Sequence, residues 1–160
     1  MVKFVLDSDG VIKLTKAELI RVLAKKYDCV ITQQVYEELM EGKKKMYEDA
    51  FVVEELVEEK EVKVKSVKLN SEMDELGKGE HSILEMWKNE NADAVISDDR
   101  KFLSILEKGE IPFLRPVEVI VMLTLKKEIT KEEGMESLEA IRKFVREESY
   151  KEAKKMIGGE

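Results

Sequence analysis

Short apolar runs alternate with helix-like stretches along the chain, and this alternation constrains the fold more than any other feature. Runs that favour strands lie at residues 2–6 (VKFVL), 29–32 (CVIT), 61–69 (EVKVKSVKL, more exposed) and 93–97 (DAVIS). Apolar residues spaced three and four apart predict helices over about 15–26, 33–42, about 44–59, 79–90 and 100–108. Strands that alternate with helices favour a parallel sheet with helices on both faces. We therefore predict a three-layer α/β/α fold.

The C-terminal part of the chain is predicted to be helical over most of 117–157. Prolines at 112 and 116 bracket a brief extended segment, FLR, before this part begins. Thr130 and Glu133 form a T-x-x-E capping box, which predicts a helix start. Since no repeat or linker divides the 160 residues, we predict one domain, 1–160, with a helical C-terminal extension.

Composition limits the function classes. The net charge of −7 argues against broad nonspecific affinity for nucleic acid, although local basic patches could still bind a substrate. Candidate patches are GKKKMY (42–47), RK (100–101) and Lys13 with Lys16, but each is more simply a solvated face. The charged fraction of 39% and the scarcity of Asn and Gln favour a thermophile source.

Cellular location follows from the cysteine count and the apolar runs. A single cysteine, Cys29, allows no internal disulfide, fits a reducing cytosol and is expected to be a buried structural thiol. No run approaches the roughly 20 apolar residues of a membrane span. We therefore expect a soluble cytoplasmic protein that is not inserted in a membrane.

Acidic residues follow two of the predicted strands. Asp7 and Asp9 come directly after residues 2–6, and Asp98 and Asp99 come directly after AVIS. Ligands of open α/β sheets bind beyond the carboxyl ends of the strands. The sequence therefore predicts that both acidic pairs lie at this edge of the sheet.

Two helices add a glutamate each. Glu38 lies beside the apolar stripe of its helix, and Glu80 precedes an apolar stripe by three, four and seven residues. Carboxylates on core-facing stripes are rarely buried unless they are paired or bound to a cation. Each glutamate alone is more simply structural, since Glu80 would also suit the positive end of its helix.

The four acidic segments together favour a metal site. Carboxylates gathered at one edge repel one another unless a cation holds them. Oxygen ligands without a histidine or thiol cluster indicate Mg²⁺ or Mn²⁺ rather than zinc. The single histidine, His81, is more simply a surface or core residue than a substrate contact.

Four motifs, in this order, resemble those of the PIN-domain nucleases, a family that includes VapC-like toxins and archaeal relatives. VLDSDGVIKL is similar to the first motif, VITQQVYEEL to the second strand and its helix, GKGEHSIL to a later helix start, and AVISDDRKF to the Thr/Ser-x-Asp-x-x-Phe motif. LKKEITKEEGMESLEAI is similar to the helical end of the longer, toxin-related members. The resemblance covers nearly the whole chain.

The resemblance implies Mg²⁺- or Mn²⁺-dependent hydrolysis of RNA phosphodiesters. It places the catalytic and metal-binding acids at Asp7, Glu38, Glu80 and Asp99. Asp7 and Asp99 are expected to be the most direct ligands, with Glu38 and Glu80 completing the shell or orienting waters. Accessory roles fall to Asp9, Ser97 and Asp98. The family usually has a small polar residue at position 9, so Asp9 is a departure, and the adjacent acids 98 and 99 leave the choice of ligand open.

The expected partners are an RNA substrate and a second copy of the chain. PIN proteins often form homodimers, and the apolar segment 117–125 (VEVIVMLTL) exceeds what a lone surface helix needs. The resemblance is also compatible with the toxin of a toxin–antitoxin pair, which would add an antitoxin protein as partner.

Two rival hypotheses stay open at this point. DSDGV is very similar to the Asp-x-Asp-Gly motif of haloacid-dehalogenase-type phosphatases, in which Asp7 would be the nucleophile and Asp9 the general acid/base. That hypothesis has no clear lysine motif, although Lys78 is conceivable, and it leaves Glu38 and Glu80 unexplained. The second rival is a non-catalytic PIN-like module that binds another protein.

Overall fold

The chain folds around a parallel sheet with helices on both faces, as the sequence predicts. The structure is a computed structural model, and it describes residues 1–45, 47–68 and 77–158. Within these residues the sheet has five strands in the order β3-β2-β1-β4-β5, and every neighbouring pair is parallel. The strands are β1 (Lys3–Leu6), β2 (Asp28–Thr32), β3 (Val62–Lys65), β4 (Ala94–Ile96) and β5 (Phe113–Leu114).

Helices connect the strands and fill the C-terminal part. They are α1 (Ser8–Lys16), α2 (Ile20–Lys26), α3 (Gln33–Lys44), α4 (Glu48–Glu58), α5 (Lys78–Asn89), α6 (Arg100–Lys108), α7 (Pro116–Leu125), α8 (Lys131–Ile141) and α9 (Glu147–Gly158). The predicted capping box at the start of α8 is present, with Thr130 and Glu133 bonded reciprocally. None of the helices in the described ranges is long and apolar enough to cross a membrane.

The order of the strands fixes where a ligand can bind. The chain leaves β1 towards β2 on one side and later returns to place β4 on the other side, so the strand order reverses between β1 and β4. The register pairs Leu6 with Ile96, the last residue of each strand. Because both strands end at the same level, the segments that follow them begin side by side at this switch point.

The first helix begins earlier than the sequence predicts. The expected helix over 15–26 was wrong in its bounds: α1 begins at Ser8 and ends at Lys16, and α2 begins at Ile20. The break includes Glu18, whose φ of 59° is incompatible with a continuous right-handed helix. Asp7 is the N-cap of α1, and its side chain accepts a hydrogen bond from the Gly10 amide.

Two further predictions differ from the structure in length. The strand expected over 61–69 pairs with β2 only through 62–65, since β2 offers partners only from Cys29 to Thr32 on that side. Residue 69 of that prediction lies outside the described residues. The helix expected over about 44–59 is α4, which begins at Glu48, and residue 46 of that prediction also lies outside the described residues.

The apolar segment 117–125 is buried within the chain. It forms α7, whose buried residues include Val119, Ile120 and Leu123, and α7 packs against α8 and α9. Its apolar sequence is therefore explained by contacts inside one chain and needs no second copy. The homodimer stays a prediction.

Candidate active site

The main chains that follow β1 and β4 are bonded to each other directly beyond the sheet. The Asp7 amide donates a hydrogen bond to the Ile96 carbonyl oxygen at 3.1 Å. Gly10 lies against the same carbonyl, and a Cβ atom built on Gly10 would be 2.7 Å from that oxygen. Only a glycine fits at this position, which brings the start of α1 close to the end of β4.

A cavity of about 270 Å³ opens at this switch point. It is lined by five carboxylates, four of which are the acids that the resemblance assigns to catalysis: Asp7, Glu38, Glu80 and Asp99, with Asp9 as the fifth. They reach the cavity from α3, from α5 and from the segments after β1 and β4. The structure therefore brings all four predicted acids to one cavity.

Asp7 is the most deeply buried of these acids, with 6% of its surface exposed. Its Oδ1 accepts the Gly10 amide at 2.7 Å, and its Oδ2 accepts the Ser97 hydroxyl. Burial raises the pKa of Asp7 from 3.8 to about 7, although the hydrogen bonds from Ser97 and Gly10 oppose this rise. The nearby charges of Asp9 and Asp99 also contribute to this raised pKa.

Ser97 links the two strand ends. It is fully buried; its hydroxyl donates to Asp7 and also accepts the Asp99 amide at 3.2 Å. Asp99 is the N-cap of α6, and its Oδ1 accepts the Phe102 amide at 3.0 Å. Ser97 therefore holds Asp7 and the backbone of Asp99 in one hydrogen-bonded unit.

Glu38 is held from two sides. Its Oε2 accepts the Ser8 hydroxyl at 2.9 Å. Its Oε1 lies against Gly79, where a Cβ atom would overlap the carboxylate. The absence of a side chain at Gly79 therefore leaves the space that the Glu38 carboxylate occupies between α3 and α5.

Glu80 is partly buried at the first turn of α5 and faces other acids. Burial raises its pKa, and the charge of Asp99 adds to this rise. Lys101 opposes the rise, and Glu38 reinforces it. Glu80 thus lies within the electrostatic range of two other acids of the cavity, as the prediction of a shared site requires.

Asp98 does not line the cavity that Asp99 lines. Its Oδ2 accepts a hydrogen bond from the Lys13 ammonium at 2.7 Å, and the same ammonium is 3.2 Å from Asp9. Burial raises the pKa of Asp98, while Lys13 and then Arg115 oppose this rise. The geometry thus distinguishes the two neighbours: Asp99 faces the cavity, and Asp98 forms an ion pair.

His81 does not line the cavity. Its side chain is buried, and its Nε2 is 3.9 Å from the Glu85 carboxylate on the next turn of α5. This position agrees with the simpler of the two interpretations of the lone histidine, a core residue rather than a substrate contact.

Three small residues of the site escape prediction from sequence alone. Ser8 orients Glu38, Gly10 allows the approach to β4, and Gly79 makes room for the Glu38 carboxylate. Their contacts join residues that are far apart in the chain. The only signal in the sequence is that Gly79 directly precedes Glu80.

The donor set of the cavity fits a hard divalent cation. The five acidic side chains that line it offer carboxylate oxygens, which are the ligands that hard cations prefer. The single cysteine of the sequence, Cys29, does not line the cavity and is buried elsewhere. Among the side chains that the structure describes, no lysine, arginine or histidine lies within 4.0 Å of the carboxylates of Asp7, Glu38, Glu80 or Asp99. In the described ranges no three acidic, histidine or cysteine side chains are already close enough together to hold one ion. Of the five acids around the cavity, Asp9 is paired with Lys13, whereas the other four have no ion-pair partner among the described side chains.

Comparison with known proteins identifies the family. A protein-family model described as a PIN domain matches residues 3–158, which is nearly the whole chain. No curated protein matches the chain.

Proposed function

The chain belongs to the PIN-domain family, whose members are generally nucleases, and we propose that it is a metal-dependent ribonuclease that hydrolyses RNA phosphodiester bonds. The observation that carries this proposal is the convergence of Asp7, Glu38, Glu80 and Asp99 on one cavity at the switch point of the sheet. Four carboxylates that have no ion-pair partner among the described side chains suit, at this place, a cation that in turn binds a phosphate.

The four acids are the residues that would hold Mg²⁺ or Mn²⁺. Asp7 and Asp99 are the proposed direct ligands, and Glu38 and Glu80 complete the shell or orient bound waters. When bound, the cation would supply Lewis-acid stabilisation of charge on the attacked phosphate and would lower the pKa of an attacking water.

The residues around the acids prepare the site before any substrate arrives. Ser97 and the Gly10 amide fix both oxygens of Asp7, so that its carboxylate has one orientation. Ser8 does the same for one oxygen of Glu38. Partners of this kind determine how well metal ligands bind, because they remove the freedom that a ligand would otherwise lose.

Asp9 separates the proposed nuclease from the rival phosphatase. Its side chain is 40% exposed and lies 3.2 Å from the Lys13 ammonium, one turn further along α1. A phosphatase would need Asp9 to donate a proton to the leaving oxygen. In the ribonuclease that we propose, Asp9 is an accessory acid at the rim, and the family match over residues 3–158 favours this role.

The biological role stays a prediction. A toxin of a toxin–antitoxin pair, an antitoxin partner, a homodimer and a cytoplasmic location all follow from the resemblance and from the composition. Expression of the chain with and without a neighbouring small gene tests the toxin role: growth arrest that the neighbour relieves is the expected result.

Cleavage of single-stranded RNA, with Mg²⁺, with Mn²⁺ and with EDTA, tests the proposed activity. Asp7→Asn or Asp99→Asn should abolish cleavage, since each removes a charge from the proposed metal shell. Asp9→Asn should keep cleavage within about tenfold of the parent, a change of roughly 1.4 kcal/mol in the barrier. A small phosphomonoester is assayed in parallel.

Two outcomes would contradict the proposal. Phosphomonoester turnover that is lost in Asp9→Asn, without RNA cleavage under any metal, would indicate a phosphatase, because loss of a general acid/base costs about 10²–10⁴ in rate. Neither activity, in a protein that still folds, would indicate a non-catalytic binding module.

A further inference from the structure

A second cavity, of about 360 Å³, lies along the exposed face of α6 and is lined by three arginines, Arg100, Arg115 and Arg146. The whole sequence has five arginines and 23 lysines. Three of the five arginines therefore line one cavity, in a chain whose other basic residues are 23 lysines and two arginines. We name it the arginine cavity.

The three arginines come from segments that are far apart in the sequence. Arg100 is the first residue of α6, Arg115 directly precedes α7, and Arg146 directly precedes α9. Arg115 is fixed in place: its Nε donates to the Glu118 carboxylate at 3.0 Å, and its Nη1 donates to the Ser149 hydroxyl at 2.9 Å. The fold, and not a local run of basic residues, creates this cluster.

The charge of the arginine cavity is available to a ligand. Arg100 and Arg146 are exposed, and among the described residues neither has an acidic partner within 4.0 Å. The acids that line the cavity are Glu107 and Glu118, and Glu118 is already paired with Arg115. A net positive cavity is thus present on a protein whose net charge is −7.

The linings of the two cavities contain consecutive residues, because Asp99 lines the acidic cavity and Arg100 lines the arginine cavity. Arg100 follows Asp99 directly, and Cα atoms of consecutive residues are about 3.8 Å apart. Guanidinium groups present a planar fork that matches the oxygens of a phosphate, which a lysine ammonium cannot do. A strand whose scissile phosphate lies at the acids would pass close to the arginines.

We propose that the arginine cavity binds a phosphate of the RNA strand next to the phosphate that is cleaved. This inference rests on the proposed ribonuclease function. Phosphate contacts fix the position and direction of a nucleic acid without reading its bases. Arg115 supplies a hydrogen-bond donor in a fixed position, while Arg100 and Arg146 bind the phosphate from either side. Binding of this phosphate then determines which phosphodiester bond of the strand lies at Asp7 and Asp99.

The test compares RNA binding by two double variants in the inactive Asp7→Asn background, with EDTA present. Arg100→Gln with Arg146→Gln removes two charges from the arginine cavity. The matched control, Lys25→Gln with Lys26→Gln, removes two exposed charges at the end of α2, at the opposite edge of the sheet. The probe is a labelled single-stranded 12-mer, and the dissociation constant is measured by fluorescence anisotropy over a range of salt concentrations.

The arginine variant should bind the 12-mer at least tenfold more weakly than the control. A plot of the logarithm of the association constant against the logarithm of the salt concentration has a negative slope. The magnitude of this slope should decrease by about 0.7 for each phosphate contact that is lost, as expected for a single strand. A third variant, Arg100→Lys with Arg146→Lys, should keep most of the salt dependence but recover only part of the affinity, because lysine keeps the charge and loses the fork. Thermal unfolding checks that each variant is folded.

Cleavage in the active background then separates this inference from the function on which it rests. A dinucleotide that offers only the scissile phosphate should be cleaved equally by wild type and by the arginine variant, whereas kcat/KM for the 12-mer should fall tenfold or more. If Arg100→Gln with Arg146→Gln binds and cleaves the 12-mer as well as the control Lys25→Gln with Lys26→Gln does, the inference is overturned and the proposed ribonuclease function still stands. An equal loss on the dinucleotide would also overturn it, since the arginines would then act at the scissile phosphate. Arginine-dependent binding without cleavage under any metal would instead overturn the proposed function.

Discussion

The hydroxyl of Ser97, at the end of β4, donates a hydrogen bond to Oδ2 of Asp7, at the end of β1. The same hydroxyl accepts the amide of Asp99. One buried serine thus connects the two acids that we propose as the direct metal ligands. Without this donor, the Asp7 carboxylate would lose one of the two hydrogen bonds that oppose the rise of its pKa on burial.

Ser97→Ala should therefore weaken metal binding while the protein stays folded. Removing a partner that orients a metal ligand typically costs about 10–100-fold in metal affinity or activity. Titration of Mn²⁺ dependence in the RNA cleavage assay measures this, with Ser66→Ala at an exposed loop position as the matched control. If Ser97→Ala needs no more Mn²⁺ than the control, Ser97 is only a packing residue.

Gly79→Ala should reduce activity without reducing stability. The added Cβ would overlap Oε1 of Glu38 and displace that carboxylate. Alanine is favoured over glycine inside a helix by about 1 kcal/mol, so the free energy of unfolding should not fall. Gly77→Ala is the matched control two residues earlier, since no atom of the described residues lies within 4 Å of its added Cβ. Full activity in Gly79→Ala would mean that the position of Glu38 does not matter.

The stability of the metal-free protein should depend on pH through Asp7. Folding raises the pKa of Asp7 from 3.8 to about 7, so the folded state binds this proton more tightly than the unfolded state does. The free energy of unfolding should therefore fall as the pH rises from about 4 to about 7, by at most roughly 1.4 kcal/mol per pH unit from this group. Denaturant unfolding in EDTA measures the fall.

Asp7→Asn isolates this contribution, because asparagine does not titrate. The difference in unfolding free energy between the variant and the wild type should grow from pH 4 to pH 7 and then level off. Saturating Mg²⁺ should reduce the difference at pH 7, since a bound cation compensates the buried charge. If the free energy of unfolding of the two metal-free proteins changes with pH in the same way, the raised pKa of buried Asp7 would be contradicted.

The sheet and the acidic edge were predictable because their signals are local. Each strand is a short apolar run; Asp7 follows one run directly and the pair Asp98–Asp99 follows another, so the parallel arrangement determines where they lie. Glu80 was predictable because it is an acid at a position where its helix otherwise has apolar residues. The capping box of α8 is equally local, since Thr130 and Glu133 are three residues apart.

The remaining features depend on contacts between distant segments. Gly10 lies inside α1, where a glycine normally weakens a helix, and only the Ile96 carbonyl beside it explains its presence. The break at Glu18 has neither glycine nor proline to mark it. No sequence pattern predicts that the three arginines of the arginine cavity lie together either, because they are separated by 15 and 31 residues.

The location of bound Mn²⁺ tests the central claim most directly. We expect a crystal soaked with Mn²⁺ to show anomalous density in the acidic cavity, with oxygens of Asp7 and Asp99 as ligands at distances of about 2.0–2.3 Å, a range typical of small divalent cations. The same soak of Asp7→Asn should show weaker density or none. Strong density that is confined to other carboxylates, or equal density at the cavity in Asp7→Asn, would contradict the assignment of these acids as the metal site.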